Sequence, residues 1–363
     1  MKVLILTGKF GMGHYQAAQT IKAQLEEQLG GVETLVVDLI NYILEEYSVS
    51  LYRAYGTLVN RTSGAFNWLY KATEKGEWQG RLPMERTMAR AVAELVAETH
   101  ADMIIATHSC SVMAASSYKR RYKSQLPLVT CVTDIVCHAN WITPETDWYL
   151  VASDYSRDLL LQRGVAAERV LVSGIPVKPV FKRIAKAHGR RGGDKQLLIM
   201  GGGCGLLPKE RSFYEALDAL AGVHTTILTG GNRNLLAQLD GRYAHITALG
   251  FTEEVPRLMA QADVVISKPG GLSVFEAINA EKPLLLFPPK LEQEKRNGAF
   301  MADSGMARVL SPGAMAKEIG QAVSDEVGLK RMARQMRVFK SSLDQQAVVK
   351  LVAGYERKGL VQC

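Results

Sequence analysis

The residues with the clearest chemical potential lie near the start of the chain, where three glycines and a histidine share one turn. The stretch reads GKFGMGHYQAAQTI, from Gly8 to Ile21, and it follows the strand-like run KVLILT. Glycine lets backbone N–H groups approach an anion, and the N-terminus of the next helix favours negative charge. A histidine exchanges protons near neutral pH. His14 is therefore a candidate for proton transfer beside a bound anion.

Two further glycine turns follow strand-like runs in the second half of the chain, and both suit a phosphate or diphosphate. Neither these turns nor the first fits G-x-G-x-x-G, and no G-x-x-x-x-G-K-[ST] occurs, which argues against a dinucleotide oxidoreductase and a P-loop. The turns are MGGGCG, with Gly202 and Gly203, and SKPGGLS, with Pro269, Gly270, Gly271, Leu272 and Ser273.

Polar side chains close to the last turn favour a nucleotide-sugar ligand. Glu276 lies one turn into the helix that SKPGGLS opens, where its carboxylate could accept hydrogen bonds from two ribose hydroxyls. The loop EQEKRN then offers Gln293, Glu294 and Asn297 to sugar hydroxyls. Glu276 alone would be interpreted as a solvent-facing helical residue. Its place among these groups favours diphosphate at the helix N-terminus with ribose and sugar beside it.

The elements that must position these groups alternate between strand and helix. Continuous Val/Ile/Leu runs indicate strands buried on both faces, hence parallel sheets, and the helices between them imply β-α-β units. Six such runs precede a basic, Pro- and Gly-containing break at Ile175–Lys195, and six more follow it. The predicted fold class is α/β, with two Rossmann-like domains facing across a cleft.

The predicted domains are 1–175 for the acceptor, 176–335 for the donor, and a helical tail, 336–363, packing back on the first domain. An aromatic insertion at about 40–83 contains no strand signal. Long connections of this kind are usually functional. Tyr42, Phe66 and Trp68 are therefore candidates for acceptor contact, and the alternative is a helical insertion whose aromatics pack inward.

Composition narrows the protein class. Hydrophobic residues make up 47% and charged residues 22%, which is typical of a globular protein. No apolar run is long enough to span a bilayer and no signal peptide is apparent, so the sequence predicts a cytoplasmic protein. The net charge of +8 suits an anionic membrane surface or a phosphorylated substrate, with nucleic acid ranked last. The five cysteines are expected to be free thiols, and Cys137-His138 is not expected to hold a metal.

The chain resembles the GT-B glycosyltransferases of family 28, in the branch of monogalactosyldiacylglycerol synthases and processive diacylglycerol glucosyltransferases. The motifs that carry this resemblance are GMGHYQAA, VTDIVCHANW and SGIPVKPVF in the first half and MGGGCG, GFTEEVPRLMAQADVVISKPGGLSVFEA and EQEKRN in the second. It implies inverting transfer of a hexose from UDP-glucose or UDP-galactose to a lipid acceptor, at the inner face of the cell membrane. No Asp-x-Asp occurs, so neither metal nor other cofactor is expected.

The resemblance also implies roles for particular residues. His14 is the first candidate base for the acceptor hydroxyl, and Asp134 with His138 forms a second pair, although His138 could instead bond within its own loop. Trp141 joins the acceptor candidates. The donor candidates are the glycine-turn residues and polar groups above together with Gly13, Lys178, Phe251 and Thr252.

Four other functions fit the same pattern. A UDP-N-acetylglucosamine 2-epimerase would use the same turns but needs no acceptor surface, which the aromatic insertion disfavours. A peptidoglycan-type transferase, a transferase with a soluble acceptor and a non-catalytic nucleotide-sugar sensor stay open. UDP release from several UDP-sugars, with and without diacylglycerol, distinguishes them.

Overall fold

The computed structural model describes residues 1–10, 12–48, 50–52, 63–74, 84–184, 193–203 and 205–361. It divides the chain into two units. Unit 1 contains Met1–Pro176 together with Leu343–Cys363, and unit 2 contains Val177–Ser342. The predicted tail 336–363 is therefore split, because residues 336–342 belong to unit 2.

Unit 1 holds a parallel sheet of six strands in the order β2-β1-β3-β4-β5-β6. Its strands are β1 Lys2–Thr7, β2 Glu33–Asp38, β3 Met103–Ala106, β4 Leu128–Cys131, β5 Trp148–Val151 and β6 Val170–Val172. Its helices are α1 Met12–Gln28, α2 Leu39–Ile43, α3 Ser63–Glu74, α4 Glu85–Thr99, α5 Ser109–Tyr122 and α6 Asp154–Gln162, with short 3₁₀ turns at Ala139–Trp141 and Ala167–Arg169.

Unit 2 repeats this architecture with the strand order β12-β11-β10-β7-β8-β9, again all parallel. Its strands are β7 Lys195–Met200, β8 Val223–Leu228, β9 Ile246–Leu249, β10 Val264–Ser267, β11 Leu284–Leu286 and β12 Ala307–Val309. Its helices are α7 Pro179–Ile184, α8 Arg211–Asp218, α9 Arg233–Leu239, α10 Val255–Gln261, α11 Gly271–Ala280, α12 Glu292–Asp303, α13 Met315–Ser324 and α14 Glu326–Ser341.

Both sheets have helices on their two faces, as their continuous apolar runs require. In β1, Leu4 and Leu6 pack with α4 and α5, whereas Val3 and Ile5 face the opposite way and pack with α1. The alternation follows from the two-residue period of a strand. The α/β class with two parallel Rossmann-like sheets, predicted from these runs, is confirmed.

The final helix, α15 Ala347–Val361, belongs to unit 1. Val348 and Val352 are buried in the same cluster as Val3 and Ile5. The Trp148 indole N–H also donates a hydrogen bond to the Tyr355 hydroxyl at 3.1 Å. This helix therefore covers one face of the first sheet beside α1.

The region predicted as an aromatic insertion is mostly helical where the structure describes it, with a turn at 44–47. It contributes α2 and α3, and no strand occurs in its described part, residues 40–48, 50–52 and 63–74. The α3 helix packs against the turn Ala139–Trp141. This contact brings the insertion to the loop that follows β4.

Candidate functional site

The candidate catalytic groups of unit 1 meet at the carboxyl edge of its sheet. Strands β1, β3 and β4 are neighbours in that sheet, so the segments that follow them lie side by side. His14 follows β1, Thr107 and His108 follow β3, and Thr133 and Asp134 follow β4. Parallel sheets bind ligands at this edge.

Two acceptor groups fix the ring of His14. Its Nδ1 lies 3.2 Å from the carbonyl oxygen of Thr107 and 2.5 Å from the hydroxyl oxygen of Thr133, and that hydroxyl donates to the same carbonyl at 3.2 Å. A carbonyl oxygen only accepts, so Nδ1 carries the proton in the neutral ring. Nε2 is then the basic nitrogen, and no described residue forms a hydrogen bond with it.

The surroundings of His14 keep it neutral at pH 7. Burial lowers its pKa below the ordinary 6.5, and the negative charge of Asp134 and the Thr107 hydrogen bond offset this only in part. A neutral imidazole with a free Nε2 lone pair can accept a proton from a hydroxyl group. The geometry therefore suits the role of general base.

Asp134 and Trp141 form a buried pair beside His14. Asp134 is 7% exposed and Trp141 is 2% exposed. The indole N–H of Trp141 donates to Asp134 Oδ2 at 3.2 Å. Trp141, expected to contact the acceptor, is thus packed in the core, where it orients the Asp134 carboxylate.

Both ring nitrogens of His138 are engaged by the protein. Nδ1 accepts a hydrogen bond from the backbone N–H of Asn140 at 3.0 Å, while Nε2 lies 2.9 Å from both the carbonyl oxygen of Tyr70 and the carboxylate of Glu74. Nε2 must therefore be protonated. This arrangement differs from the catalytic pairing expected of His138, because no basic nitrogen is left to receive a proton.

Glu74 connects α3 to the loop after β4 and to α6. Its carboxylate pairs with His138 and also with Arg163. Burial alone would raise the pKa of Glu74, but the hydrogen bonds from His138 and Arg163 and the positive charge of Arg163 outweigh it and lower the pKa to about 2. The carboxylate is therefore ionised and fixes α3 on this loop.

Glu74→Gln is expected to destabilise unit 1 by about 1–3 kcal/mol, because the buried His138 and the partly exposed Arg163 both lose a charged acceptor. The folded-state pKa is depressed, so this stabilisation is complete above pH 4.5 and is lost as the pH falls toward 2. Urea unfolding, together with hydrogen exchange of α3, measures it. Glu215→Gln, which removes an exposed partner of Arg211, is the control and should change stability by under about 0.5 kcal/mol. Equal losses of stability in the two variants would contradict the stabilising role of Glu74.

The remaining acceptor candidates lie on α2 and α3. Tyr42 is 37% exposed and Trp68 is 71% exposed. The side chain of Phe66 lies outside the described residues, as do Tyr55 and Trp78 of the predicted insertion. Trp68 therefore supplies the largest exposed aromatic surface of the described insertion.

The basic cluster Lys119–Lys123 lies away from this site. It ends α5, which begins at the carboxyl edge of the sheet and runs back to the opposite edge. Lys119 is buried and paired with Asp147, and Arg120 pairs with Glu85. These residues therefore do not belong to the candidate site.

In unit 2, the glycine turns lie after the adjacent strands β7 and β10. Gly270 is the N-cap of α11, and no side chain in the described part of the chain caps the first-turn amides of Gly271, Leu272 and Ser273. Free amides at a helix N-terminus bind anions. This turn is therefore suited to a diphosphate.

The loop after β7 is tied to the loop after β8. The backbone N–H of Gly231 donates to the carbonyl of Gly203 at 3.0 Å. A Cβ on Gly230 would lie 2.4 Å from the Gly202 oxygen, so only glycine permits this approach. Gly202 itself has φ +66°, which also favours glycine.

Lys268 and two residues of α12 hold these turns together. Lys268 Nζ lies 3.5 Å from Glu294, and its Cε would contact a Cβ placed on Gly202 at 3.5 Å.

Asn297 is 1% exposed and donates to the carbonyl of Pro269 at 3.1 Å. Glu294 also accepts from the backbone N–H of Leu291. Glu294 and Asn297, expected to bind sugar hydroxyls, thus have partners within the protein. Gln293 is half-buried at the start of α12.

Glu276 projects from the first turns of α11 and is half-buried. Burial raises its pKa to about 8, and the positive charge of Lys178 opposes this shift. Lys178 is exposed at the start of unit 2. Hydrogen bonds from hydroxyl groups would stabilise the ionised carboxylate of Glu276 and lower its pKa.

The other donor candidates differ in exposure. Phe251 is 71% exposed, whereas the Thr252 hydroxyl accepts from the backbone N–H of Glu254 at 3.1 Å and so stabilises the start of α10. Gly13 lies in the first turn of α1, next to His14. Gly11 and Cys204 of the glycine motifs lie outside the described residues.

Sequence reasoning missed four residues of the unit 1 site: Thr107, His108, Thr133 and Glu74. The first two end the run DMIIATH, and Thr133 is the second-to-last residue of PLVTCVTD, so their positions at strand ends were an available signal. Glu74 had no such signal, because its partners are far away in sequence.

Cys137, next to His138, is a buried thiol whose pKa is raised by burial and then by the charge of Asp134. It is therefore protonated at neutral pH and is a poor nucleophile or metal ligand. Among the described residues, no cluster of three or more His, Cys, Asp or Glu side chains could bind a metal ion, and no helix could span a bilayer.

Known families match most of the chain. The family model for monogalactosyldiacylglycerol (MGDG) synthase matches residues 14–177, and the glycosyltransferase family 28 C-terminal domain matches residues 197–346. A processive diacylglycerol beta-glucosyltransferase from Bacillus pumilus is 30% identical over 352 residues, covering 93% of this chain and 90% of that protein.

Solved structures share the fold. MurG from Acinetobacter baumannii has a TM-score of 0.63 at 16% identity, covering 98% of this chain and 99% of that one. Anabaena HepE, solved with UDP-glucose, has a TM-score of 0.55 at 16% identity, covering 99% and 100%. At these identities the likeness concerns the fold alone.

Proposed function

The chain belongs to the monogalactosyldiacylglycerol synthase family, with a glycosyltransferase family 28 C-terminal domain, and on this premise we propose that it transfers a hexose from a UDP-sugar to diacylglycerol. The transfer inverts the configuration at the anomeric carbon and needs no metal. The acceptor is proposed because MGDG synthase and a diacylglycerol glucosyltransferase are the relatives of this chain. A UDP-sugar is proposed as donor because HepE, of the same fold, was solved with UDP-glucose.

The reaction exchanges one bond at the anomeric carbon and transfers one proton. The acceptor oxygen attacks the anomeric carbon and forms the new glycosidic bond, while the bond from that carbon to the diphosphate breaks. UDP leaves with the electron pair, and the acceptor proton passes to Nε2 of His14. Negative charge grows on the diphosphate, where the free amides of Gly271, Leu272 and Ser273 would stabilise it.

One observation carries the proposal: the hydrogen bonds of His14. Thr107 and Thr133 hold the proton on Nδ1, so the neutral ring offers Nε2 as a base. Asp134 lies near enough for its charge to raise the pKa of His14, and it would stabilise the imidazolium that forms during transfer. A protein that merely bound the sugar nucleotide would not need this arrangement.

On the donor side, we propose that Glu276 accepts hydrogen bonds from the ribose hydroxyls and that Gln293 contacts the sugar. Lys178 and Phe251, both exposed, would complete the UDP site. Glu294 and Asn297 support the turn that holds the diphosphate, because their hydrogen bonds fix Lys268 and Pro269.

The lipid acceptor implies contact with the inner face of the cell membrane, and we propose that α3 makes it. Trp68→Ala is expected to weaken binding to vesicles about ten-fold, because burying an aromatic side chain contributes about 1.5–3 kcal/mol. Flotation with vesicles containing anionic lipid measures this. Phe251→Ala removes an equally exposed aromatic residue from unit 2 and should leave flotation unchanged. Equal losses in the two variants would refute a specific role for α3.

The decisive experiment measures UDP release from UDP-glucose, UDP-galactose and UDP-N-acetylglucosamine, with and without diacylglycerol in mixed micelles. Release that requires one sugar and the lipid is the expected result, with a glycolipid product. Release without acceptor would indicate hydrolysis or epimerase chemistry. UDP binding without release under any condition would refute lipid transfer and favour a soluble acceptor or a nucleotide-sugar sensor.

A further inference from the structure

His108 is the nearest aromatic neighbour of the proposed base and has no role so far. It follows β3 as the N-cap residue of α5 and is only 8% exposed. Its ring stands edge-on to His14, with centroids 4.6 Å apart and an interplanar angle of 90°. Phe10 stacks on it at 5.2 Å. The ring is therefore held in one orientation beside His14.

The hydrogen bonding of His108 determines which nitrogen carries its proton. The backbone N–H of Cys110 donates to Nδ1 at 3.2 Å, so Nδ1 has no proton. Burial and the nearby His14 hold the pKa of His108 well below its usual value, so the ring is neutral. Nε2 must then bear the proton. This N–H has no hydrogen-bond partner in the described part of the chain.

An N–H group that the protein itself leaves without a partner is available to a ligand or to water. Here the donor belongs to a ring that contacts His14, whose own Nε2 is an unprotonated acceptor. The two histidines thus present one acceptor and one donor at neighbouring positions. A hydroxyl group needs this combination, since it gives up its proton to one nitrogen and accepts a hydrogen bond on a lone pair from the other.

We propose that His108 is an acceptor-positioning residue, whose Nε2–H donates a hydrogen bond to the oxygen of the hydroxyl that His14 deprotonates. The inference rests on the proposed transferase function and adds to it a residue that orients the attacking oxygen. Orientation of reacting groups is a large part of catalysis, and small displacements lower the rate strongly.

The competing explanation is that His108 only caps α5. Substitution of His108 by asparagine or by glutamine distinguishes capping of α5 from positioning of the acceptor. Asparagine places its oxygen near the Nδ1 position and keeps the cap, since it is among the preferred N-cap residues, but it has no donor at the Nε2 position. Glutamine reaches the Nε2 position with an N–H group and gives up the short cap.

The test compares kcat/KM for the acceptor in His108→Asn and His108→Gln, with melting temperature and UDP affinity as controls. The proposal expects His108→Asn to melt like the wild type and to lose about 10- to 100-fold in kcat/KM. His108→Gln should stay within a few-fold of the wild type. An active His108→Asn, whether or not His108→Gln is impaired, would overturn the proposal.

Failure of the proposed function gives a different pattern. If the wild type releases UDP to water or to a soluble acceptor but not to diacylglycerol, the lipid acceptor is wrong, and the same comparison of variants with that acceptor still decides the role of His108. If the wild type releases UDP under no condition, the transferase function and the positioning role fall together.

Discussion

Replacement of His14 by alanine is expected to lower turnover about 10²- to 10⁴-fold, the range that general-base catalysis supplies. Nε2 of His14 is the basic nitrogen directed away from Thr107 and Thr133, so its removal leaves the acceptor proton without a recipient. UDP affinity should not change, because the proposed donor groups belong to unit 2. Steady-state kinetics and calorimetric UDP titration measure the two quantities.

His224→Ala is the matched control, because His224 is a histidine of unit 2 that bonds to Thr247 near the far edge of its sheet. It should keep wild-type turnover. The pH dependence adds a check: the base must be neutral and its pKa is lowered, so activity should persist to below pH 6.5 before it declines. Wild-type turnover in His14→Ala would exclude His14 as the base.

The second large effect is expected at Glu276. Two hydrogen bonds from ribose hydroxyls to an ionised carboxylate contribute about 1.5–3 kcal/mol each, so Glu276→Gln should weaken UDP binding about 100-fold or more. The free carboxyl group has a pKa of about 8, and binding requires the ionised form. UDP affinity should therefore rise with pH between 6 and 8, and this rise should disappear in the variant.

A ribose-specific test uses 2′-deoxy-UDP. The wild type should bind it more weakly than UDP, whereas Glu276→Gln should bind the two alike. Glu253→Gln, an exposed carboxylate of the same unit, is the control and should behave like the wild type. Equal affinity of the wild type for both nucleotides would show that Glu276 does not bind the ribose hydroxyls.

The strands of both sheets could be predicted because the pattern that indicates a buried strand lies within a few consecutive residues. Runs such as VLIL and VVI are apolar at every position, and only strands covered on both faces accommodate them. The positions of His14 and Asp134 followed for the same reason, since each lies in the segment after such a run and therefore near the carboxyl edge of the sheet.

The partners of polar side chains were not predictable in this way. Asn297 bonds to Pro269, 28 residues away, and His138 bonds to Tyr70, 68 residues away. A motif shows that a polar residue is present, but the tertiary neighbours decide whether it faces a ligand or supports a turn. Trp141 illustrates the point, because an aromatic residue in an acceptor motif is packed in the core against Asp134.

The position of α15 has a consequence for biosynthesis. Its valines complete the cluster around Val3 and Ile5, so β1 is synthesised before unit 2 but is covered on this face only after α15 has been made. Unit 2 is continuous in sequence, from Val177 to Ser342, and contains its own core. Vectorial synthesis should therefore allow unit 2 to fold while unit 1 still exposes one apolar face. A chain stalled before residue 347 would expose this apolar face, and we expect chaperones to bind it.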